Sequence, residues 1–320
     1  MSAPLLEVRD LAVHFPARRS LLERGPSLVR AVDGVSLALA EGRTLAVVGE
    51  SGSGKSTLAR AVARLLVPTA GTVLWRGRDL HALAPAELRR QRRELQIIFQ
   101  DPLGSLDPRL PVGRSIERPM IALRPELDAE ARRARVAALL EQVGLPPAWT
   151  GRYPHELSGG QCQRVAIARA IGVEPRLLVC DEPVSALDVS IQAQILNLLL
   201  RLQQELGMAL LFISHNLAVV RRVADAVLVM YRGKVVEQAS ADAFYAGPRH
   251  PYSQALLAAI PVPDPAAARA GRRYRLADDP AVPDTGCPFR PRCPAATAAC
   301  ATPPALREVA PGHQVACLRS

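Results

Sequence analysis

The sequence predicts an α/β protein built on a mostly parallel sheet covered on both faces, and three observations carry that expectation. Residues 44–48, Thr-Leu-Ala-Val-Val, form an apolar β-branched run that leads through a glycine-rich stretch into a helix-forming run at 58–66. Three more apolar runs, at 95–99, 176–181 and 209–213, alternate with helical patterns at 162–171 and 189–206. The 320 residues, 49% of them hydrophobic, suffice for one full domain and a smaller appendage.

In chain order, residues 5–15 alternate as a strand and 31–39 read as its partner, ending at the turn Glu41-Gly42. The pair predicts an antiparallel β subdomain. Residues 16–30 between them read as a basic surface loop, and Phe15 is placed either to stack on a nucleotide base or simply to pack. Next comes Gly49-Glu50-Ser51-Gly52-Ser53-Gly54-Lys55-Ser56-Thr57, which spells G-x-x-x-x-G-K-[ST] between a strand and a helix. Its glycines let backbone N–H groups turn inward, and the helix N-terminus adds partial positive charge where phosphates sit. This loop predicts a nucleoside triphosphate site, with Lys55 reaching the β- and γ-phosphates and the Ser56 hydroxyl ligating Mg2+.

After a short strand and turn at 71–77 and a helix with an arginine face at 85–93, the strand 95–99 delivers Gln100 at its C-terminal end. Open α/β sheets place ligands there, so Gln100 is either a simple cap or a contact to Mg2+ and the attacking water. From Asp101 the texture turns helical and arginine-rich, with turns at Pro102, Pro108 and Pro111 and an amphipathic run at 128–143. An inserted helical subdomain, about 101–160, is expected. Leu157-Ser158-Gly159-Gly160-Gln161 then opens a helix and forms a candidate second anion site. The strand 176–181 ends in Asp181-Glu182, which supplies the other half of a phosphate-loop site: Asp181 to hold Mg2+ through water and Glu182 to polarise the attacking water.

Beyond the turn Ser185-Ala186-Leu187-Asp188, the helix 189–206 carries Ile191, Ile195, Leu198, Leu202 and Leu206 on one stripe, which reads as core packing. The strand 209–213 presents Ser214 and His215 at its end. Strands at 226–230 and 234–237 are expected to close the sheet, and a short helix near 241–245 to end the large domain.

The net charge of +10 is carried almost wholly by arginine, Lys55 and Lys234 being the only lysines. The arginines are interleaved with acids, as at 89–94 and 128–135, which fits solvated faces better than a nucleic-acid stripe. No run of about 18 uncharged apolar residues occurs; the nearest, 195–213, is broken by Arg201 and Glu205. The N-terminus lacks the basic start, apolar core and small-residue site of a signal peptide, so a cytoplasmic location is expected.

Taken together, these residues resemble an ABC transporter ATPase, a P-loop NTPase, over residues 5–260. The motifs fall in that family's order: the loop 49–57, Gln100, Leu157–Gln161 spelling LSGGQ, Asp181-Glu182, the turn 185–188, and His215. The resemblance implies an ATP sandwich in which Ser158, Gly159, Gly160 and Gln161 of one subunit face the nucleotide held by Gly49, Ser51, Gly52, Gly54, Lys55, Ser56 and Thr57 of the other. It further implies that Glu182 activates water, His215 steadies the γ-phosphate, Gln100 links nucleotide to membrane subunits, Asp188 belongs to the nucleotide site and Phe15 stacks on adenine. The insertion after Phe15 lengthens the gap to the phosphate loop relative to the family.

More narrowly, residues 97–102, 105–109, 153–157 and 183–190, with His250-Pro251-Tyr252 and a cysteine-bearing C-terminus, are similar to ATP-binding subunits of oligopeptide and dipeptide importers. One departure is Cys162, where a basic residue often follows the signature. The resemblance implies two transmembrane permease subunits, an extracytoplasmic substrate-binding protein, and a second ABC ATPase subunit that is often a different chain. No nucleic acid is expected, and the location implied is the cytoplasmic face of the membrane. Relatives in the branch import nickel or glutathione, so those substrates stay open. A soluble ABC-type ATPase acting on nucleic acid or ribosomes is the rival class, and a cluster-bearing ATPase of iron–sulfur assembly is a third. Against the rival stand the single ATPase domain, the lack of a long coiled-coil insertion, and the importer-like stretch after Gln100.

The expected division is 1–258 for the ATPase and 259–320 for an extension, with a Pro- and Ala-rich arm at 261–283. Cys287, Cys293, Cys300 and Cys317 place four of the six cysteines in the last 34 residues. A reducing cytoplasm disfavours disulfides, and the spacing lacks the paired C-x2-C of many zinc sites. The thiols suit a [4Fe-4S] cluster, which the resemblance implies for some importers of this branch; zinc and plain packing are the alternatives. Arg290, Arg292 and Arg319 lie close enough in sequence to offset thiolate charge, while Cys162 and Cys180 read as small buried hydrophobes.

Overall fold

The computed structural model describes residues 4–16, 28–260 and 285–319. The expected loop at 16–30 falls mostly outside these residues, as does the arm at 261–283, but Pro16 ends one strand and Leu28 begins the next. The strands are β1 (Leu6–Pro16), β2 (Leu28–Leu39), β3 (Thr44–Val48), β4 (Ala70–Trp75), β5 (Arg78–Asp79), β6 (Leu95–Ile98), β7 (Leu177–Asp181), β8 (Ala209–Ser214), β9 (Ala226–Tyr231), β10 (Lys234–Ser240), β11 (Arg307–Ala310) and β12 (His313–Val315).

The chain falls into two compact units. One comprises Met1–Leu6, Leu39–Arg43 and Leu74–Ile213; the other comprises Glu7–Ala38, Thr44–Val73 and Ser214–Ser320.

In the first unit β6, β7 and β8 run parallel, with Leu95 opposite Leu177 and Leu177 opposite Ala209. Every residue of β7 is buried, which is why that strand reads as a continuous apolar run rather than an alternation. Helices Val112–Leu123 and Ala129–Gln142 make up the segment of altered texture and bury Val112, Ile116, Met120, Val136, Leu139 and Leu140. Asp128 starts the second of them by accepting the Ala131 N–H at 2.8 Å. Two long helices follow, Gly159–Ile171 and Val189–Leu206. Of the stripe expected on the latter, Ile195, Leu198 and Leu202 are buried.

In the second unit β3 and β9 are parallel, Leu45 facing Ala226 and Val48 facing Val229. The tight turn at Arg232-Gly233, both with positive φ, reverses the chain into β10, antiparallel to β9 with an irregularity between Val235 and Glu237. Strands 226–231 and 234–240 do not close this sheet, contrary to expectation. β12 pairs antiparallel with β10 (Glu237 opposite Val315), and β11 pairs with β12. A three-residue strand carries too little alternation to be read from sequence; what seats it is its partner strand and the buried contact between His313 and Glu237.

Candidate functional site

In the second unit, the buried strand β3 ends at the phosphate loop, and the helix Lys55–Val62 starts immediately after it. Glycine is required at both ends of the loop. A Cβ at Gly49 would collide with the Met230 carbonyl oxygen, and one at Gly54, where φ is 101°, with that of Ala31. The loop is further tied down where the Gly233 N–H donates to the Ser53 carbonyl at 2.9 Å. Lys55 is buried, and its Nζ donates to the carbonyls of Gly49 and Glu50, both at 2.8 Å. Ser51 and Gly52 are exposed, and Ser56 and Thr57 are half-buried on the first turn of the helix. Phe15 lies at the end of β1 with 38% of its surface exposed. His215 is exposed directly after β8.

The first unit carries the remaining motif residues. Gln100, just past β6, donates from Nε2 to Glu182 Oε2 at 3.2 Å. Asp181 is buried at the end of β7. Glu182, the next residue, has φ of 48°, a left-handed conformation that costs a non-glycine residue about 1 kcal/mol or more. The surroundings hold it there: its N–H donates to the Ile213 carbonyl at 3.1 Å, and its own carbonyl accepts from the Ser185 N–H and hydroxyl. The chain thus turns abruptly after β7 and points the carboxylate out beside Gln100.

Ser158 caps the helix Gly159–Ile171 through a reciprocal pair: the Gln161 N–H donates to Ser158 Oγ, and the Ser158 N–H to Gln161 Oε1. A side chain at Gly160 would press on Ile191 of the next helix, so the signature backbone is bare at that point. Asp188 caps the helix Val189–Leu206, accepting from the Ser190 hydroxyl at 2.7 Å and the Ile191 N–H at 3.0 Å. Those bonds hold its carboxyl below the usual carboxylate range. The capping role of Asp188 was missed in sequence, although S/T/D before an apolar run is an N-cap signal.

The C-terminal segment belongs to the second unit. Cys287, Cys293, Cys300 and Cys317 line one pocket together with Arg290 and Arg319. No disulfide joins them. Burial pushes the thiols of Cys287 and Cys293 up, whereas the backbone N–H and hydroxyl of Thr297 pull that of Cys300 down. Among the described residues no three metal-binding side chains are drawn together closely enough to hold an ion. Cys162 and Cys180 are fully buried, as expected.

Arg292 departs from expectation. It is not among the residues that line the thiol pocket. Its guanidinium grips Glu50 of the phosphate loop with two contacts, Nη1 to Oε2 at 2.7 Å and Nη2 to Oε1 at 3.0 Å. The sequence held no signal for this contact, because 242 residues separate the partners.

The fold matches solved nucleotide-binding cassettes. The dimeric post-hydrolysis ATP-binding cassette MJ0796 with ADP and Pi is 29% identical, with a TM-score of 0.65 over 74% of this chain and 98% of that one. The cbiO1 subunit from Clostridium perfringens is 27% identical, with a TM-score of 0.64 over 77% of this chain and 92% of that one. The sequence profile of the ABC transporter family matches residues 32–185, and that of the oligopeptide/dipeptide transporter C-terminal region matches residues 236–300. The oligopeptide transport ATP-binding protein OppF of Salmonella typhimurium is 49% identical over 98% of this chain and 96% of its own length. The chain belongs to the ABC transporter ATPase family. A putative peptide import ATP-binding protein of Brucella ovis is 51% identical over 99% of this chain and 98% of its own. As an ABC ATPase the chain binds ATP with Mg2+. No helix among the described residues is long and apolar enough to cross a membrane.

Proposed function

We propose that this ABC ATPase powers the import of peptides across the cytoplasmic membrane. In this reading it works at the cytoplasmic face with two permease subunits, a second ATP-binding subunit of different sequence, and an extracytoplasmic peptide-binding protein. The observation that carries it is the full-length match to peptide-transport ATP-binding proteins, which extends through the C-terminal region and not only the cassette.

Lys55 holds the β- and γ-phosphates, Phe15 stacks on adenine, and Ser56 with Gly49, Ser51, Gly52, Gly54 and Thr57 lines the phosphate loop. Glu182 is the general base, its carboxylate turned out by the positive φ and held beside Gln100. Asp181, Ser56 and Gln100 serve Mg2+, which when bound neutralises developing phosphate charge. His215 steadies the γ-phosphate. Ser158, Gly159, Gly160 and Gln161, with Asp188, serve the nucleotide of the second ATPase subunit. The division at 258/259 separates the ATPase from its extension. The four thiols that line one cavity with Arg290 and Arg319 are the residues that would hold a [4Fe-4S] cluster, although no three of them are drawn together as they stand.

The test is to tag the chain in its own cells, solubilise the membranes gently and identify what co-purifies. Two polytopic membrane proteins and a second ATPase are expected, and the same material, prepared without oxygen, should contain iron. Recovery with ribosomes or nucleic acid instead would overturn the importer reading, and absence of iron would remove the cluster.

A further inference from the structure

We infer that the C-terminal segment positions the phosphate loop for ATP, through Arg292 and Tyr252 acting on Glu50. The inference rests on reading residues 49–57 as the ATP phosphate loop.

Glu50 is the second residue of that loop, and each of its polar groups is engaged. Its N–H donates to the Tyr252 hydroxyl at 2.8 Å. Its carbonyl accepts from Lys55 Nζ at 2.8 Å and from the Ser53 N–H at 3.2 Å. Its carboxylate receives the fork of Arg292. Two of these anchors come from beyond residue 250, outside the cassette motifs.

Both anchors are themselves rigidly placed. The Arg292 side chain is only 7% exposed, and Nη1 also lies 3.4 Å from the Tyr231 hydroxyl. It stands on the short turn Arg290–Arg292, closed by the Arg290 N–H donating to the Cys287 carbonyl and the Arg292 N–H to the Phe289 carbonyl, both at 3.0 Å. Phe289 is fully buried against the rings of Tyr231, Tyr252 and His250. Glu237, also fully buried, accepts the N–H groups of Arg249 and His250 at 2.7 and 2.9 Å and lies 2.7 Å from His313 Nε2 of β12. One carboxyl group therefore joins the sheet, the residues leading to Tyr252, and the C-terminal strand.

The electrostatics give the clamp a reason. A carboxylate in a loop built to receive a triphosphate repels its ligand, and a two-pronged guanidinium neutralises it while fixing its direction. Arg292 is a positioning residue, acting through Glu50 rather than on the nucleotide.

The test is a double-mutant cycle on the full chain, read by titration with a fluorescent ATP analogue and by steady-state hydrolysis, with folding checked by thermal melting. Arg292→Gln is expected to raise the KM for ATP about tenfold with kcat changed less than about twofold, since the freed carboxylate then opposes the phosphates. Adding Glu50→Gln to Arg292→Gln should recover most of that loss. An unchanged KM in Arg292→Gln overturns the inference, and so does a double variant as impaired as the single, because the effect would then not pass through Glu50. Where the Gln variant does not fold, Arg292→Lys keeps the charge but not the fork: a KM raised about threefold is expected, and no change overturns the inference. Lys55→Ala separates the two readings. It should abolish analogue binding; if it does not, the phosphate-loop assignment fails, whereas loss in Lys55→Ala with unchanged Arg292 variants defeats the positioning role alone.

Discussion

Glu182 combines a backbone conformation that its side-chain type disfavours with a hydrogen bond to Gln100, and that combination makes it the residue on which turnover should depend most. Glu182→Gln keeps the shape and the contact while removing the carboxylate proposed as the base. ATP binding should persist and hydrolysis fall by about a hundredfold or more, as measured by nucleotide titration beside phosphate release. Undiminished release would mean another group activates the water. His250 gives a second prediction at this scale. Burial pulls its ring from the ordinary 6.5 down to about 4, and its Nδ1 accepts the Tyr252 N–H at 3.1 Å, which requires that nitrogen to be unprotonated. Between pH 6.5 and 4 the unfolded chain takes up a proton that the folded chain refuses, so stability is lost as pH falls through that window and is fully present above it. The loss should approach about 3 kcal/mol by pH 4. Urea midpoints across that range check it against His250→Asn, which keeps an acceptor but does not titrate; parallel curves for the two proteins would exclude His250 as the source.

At the scale of elements, the most informative feature is how a three-residue strand is held. β12 forms part of the sheet because β10 offers a partner edge and because Glu237 satisfies two backbone N–H groups and contacts His313 at once. Glu237→Ala leaves those groups buried and unmet, a cost of about 3 kcal/mol. The expected result is a lower melting temperature together with faster proteolytic cutting between residues 285 and 319; a melting loss with the segment still protected would mean that other contacts seat it. The long elements behave differently. β3, β7 and the helix Val189–Leu206 are fixed by continuous apolar runs or by a stripe at helical spacing, so local pattern and tertiary packing agree.

Among the described residues, arginines pair with acids on the surface, such as Arg76 with Glu41, Arg78 with Glu87, and Arg124 with Glu126 and Glu174. The pairs Arg76–Glu41 and Arg78–Glu87, exposed on both sides, add little stability each. The nucleotide chemistry was legible in the sequence, because a phosphate loop, a signature and an Asp-Glu strand end are short contiguous runs whose local geometry follows from residue type: glycine where a Cβ cannot fit, and Glu182 at the turn after a buried strand; the helix caps made by Ser158 and Asp188 were not read there. The sequence also revealed the cysteine quartet, as a bare cluster without a position. Where that segment sits and what it touches follow from long-range packing. The contacts that matter there, Arg292 with Glu50, Tyr252 with Glu50 and Glu237 with His313, join residues 242, 202 and 76 positions apart, and no periodicity or motif extends over such separations. Their partners are chosen by the strand pairing and aromatic packing that bring the C-terminal segment against the phosphate loop.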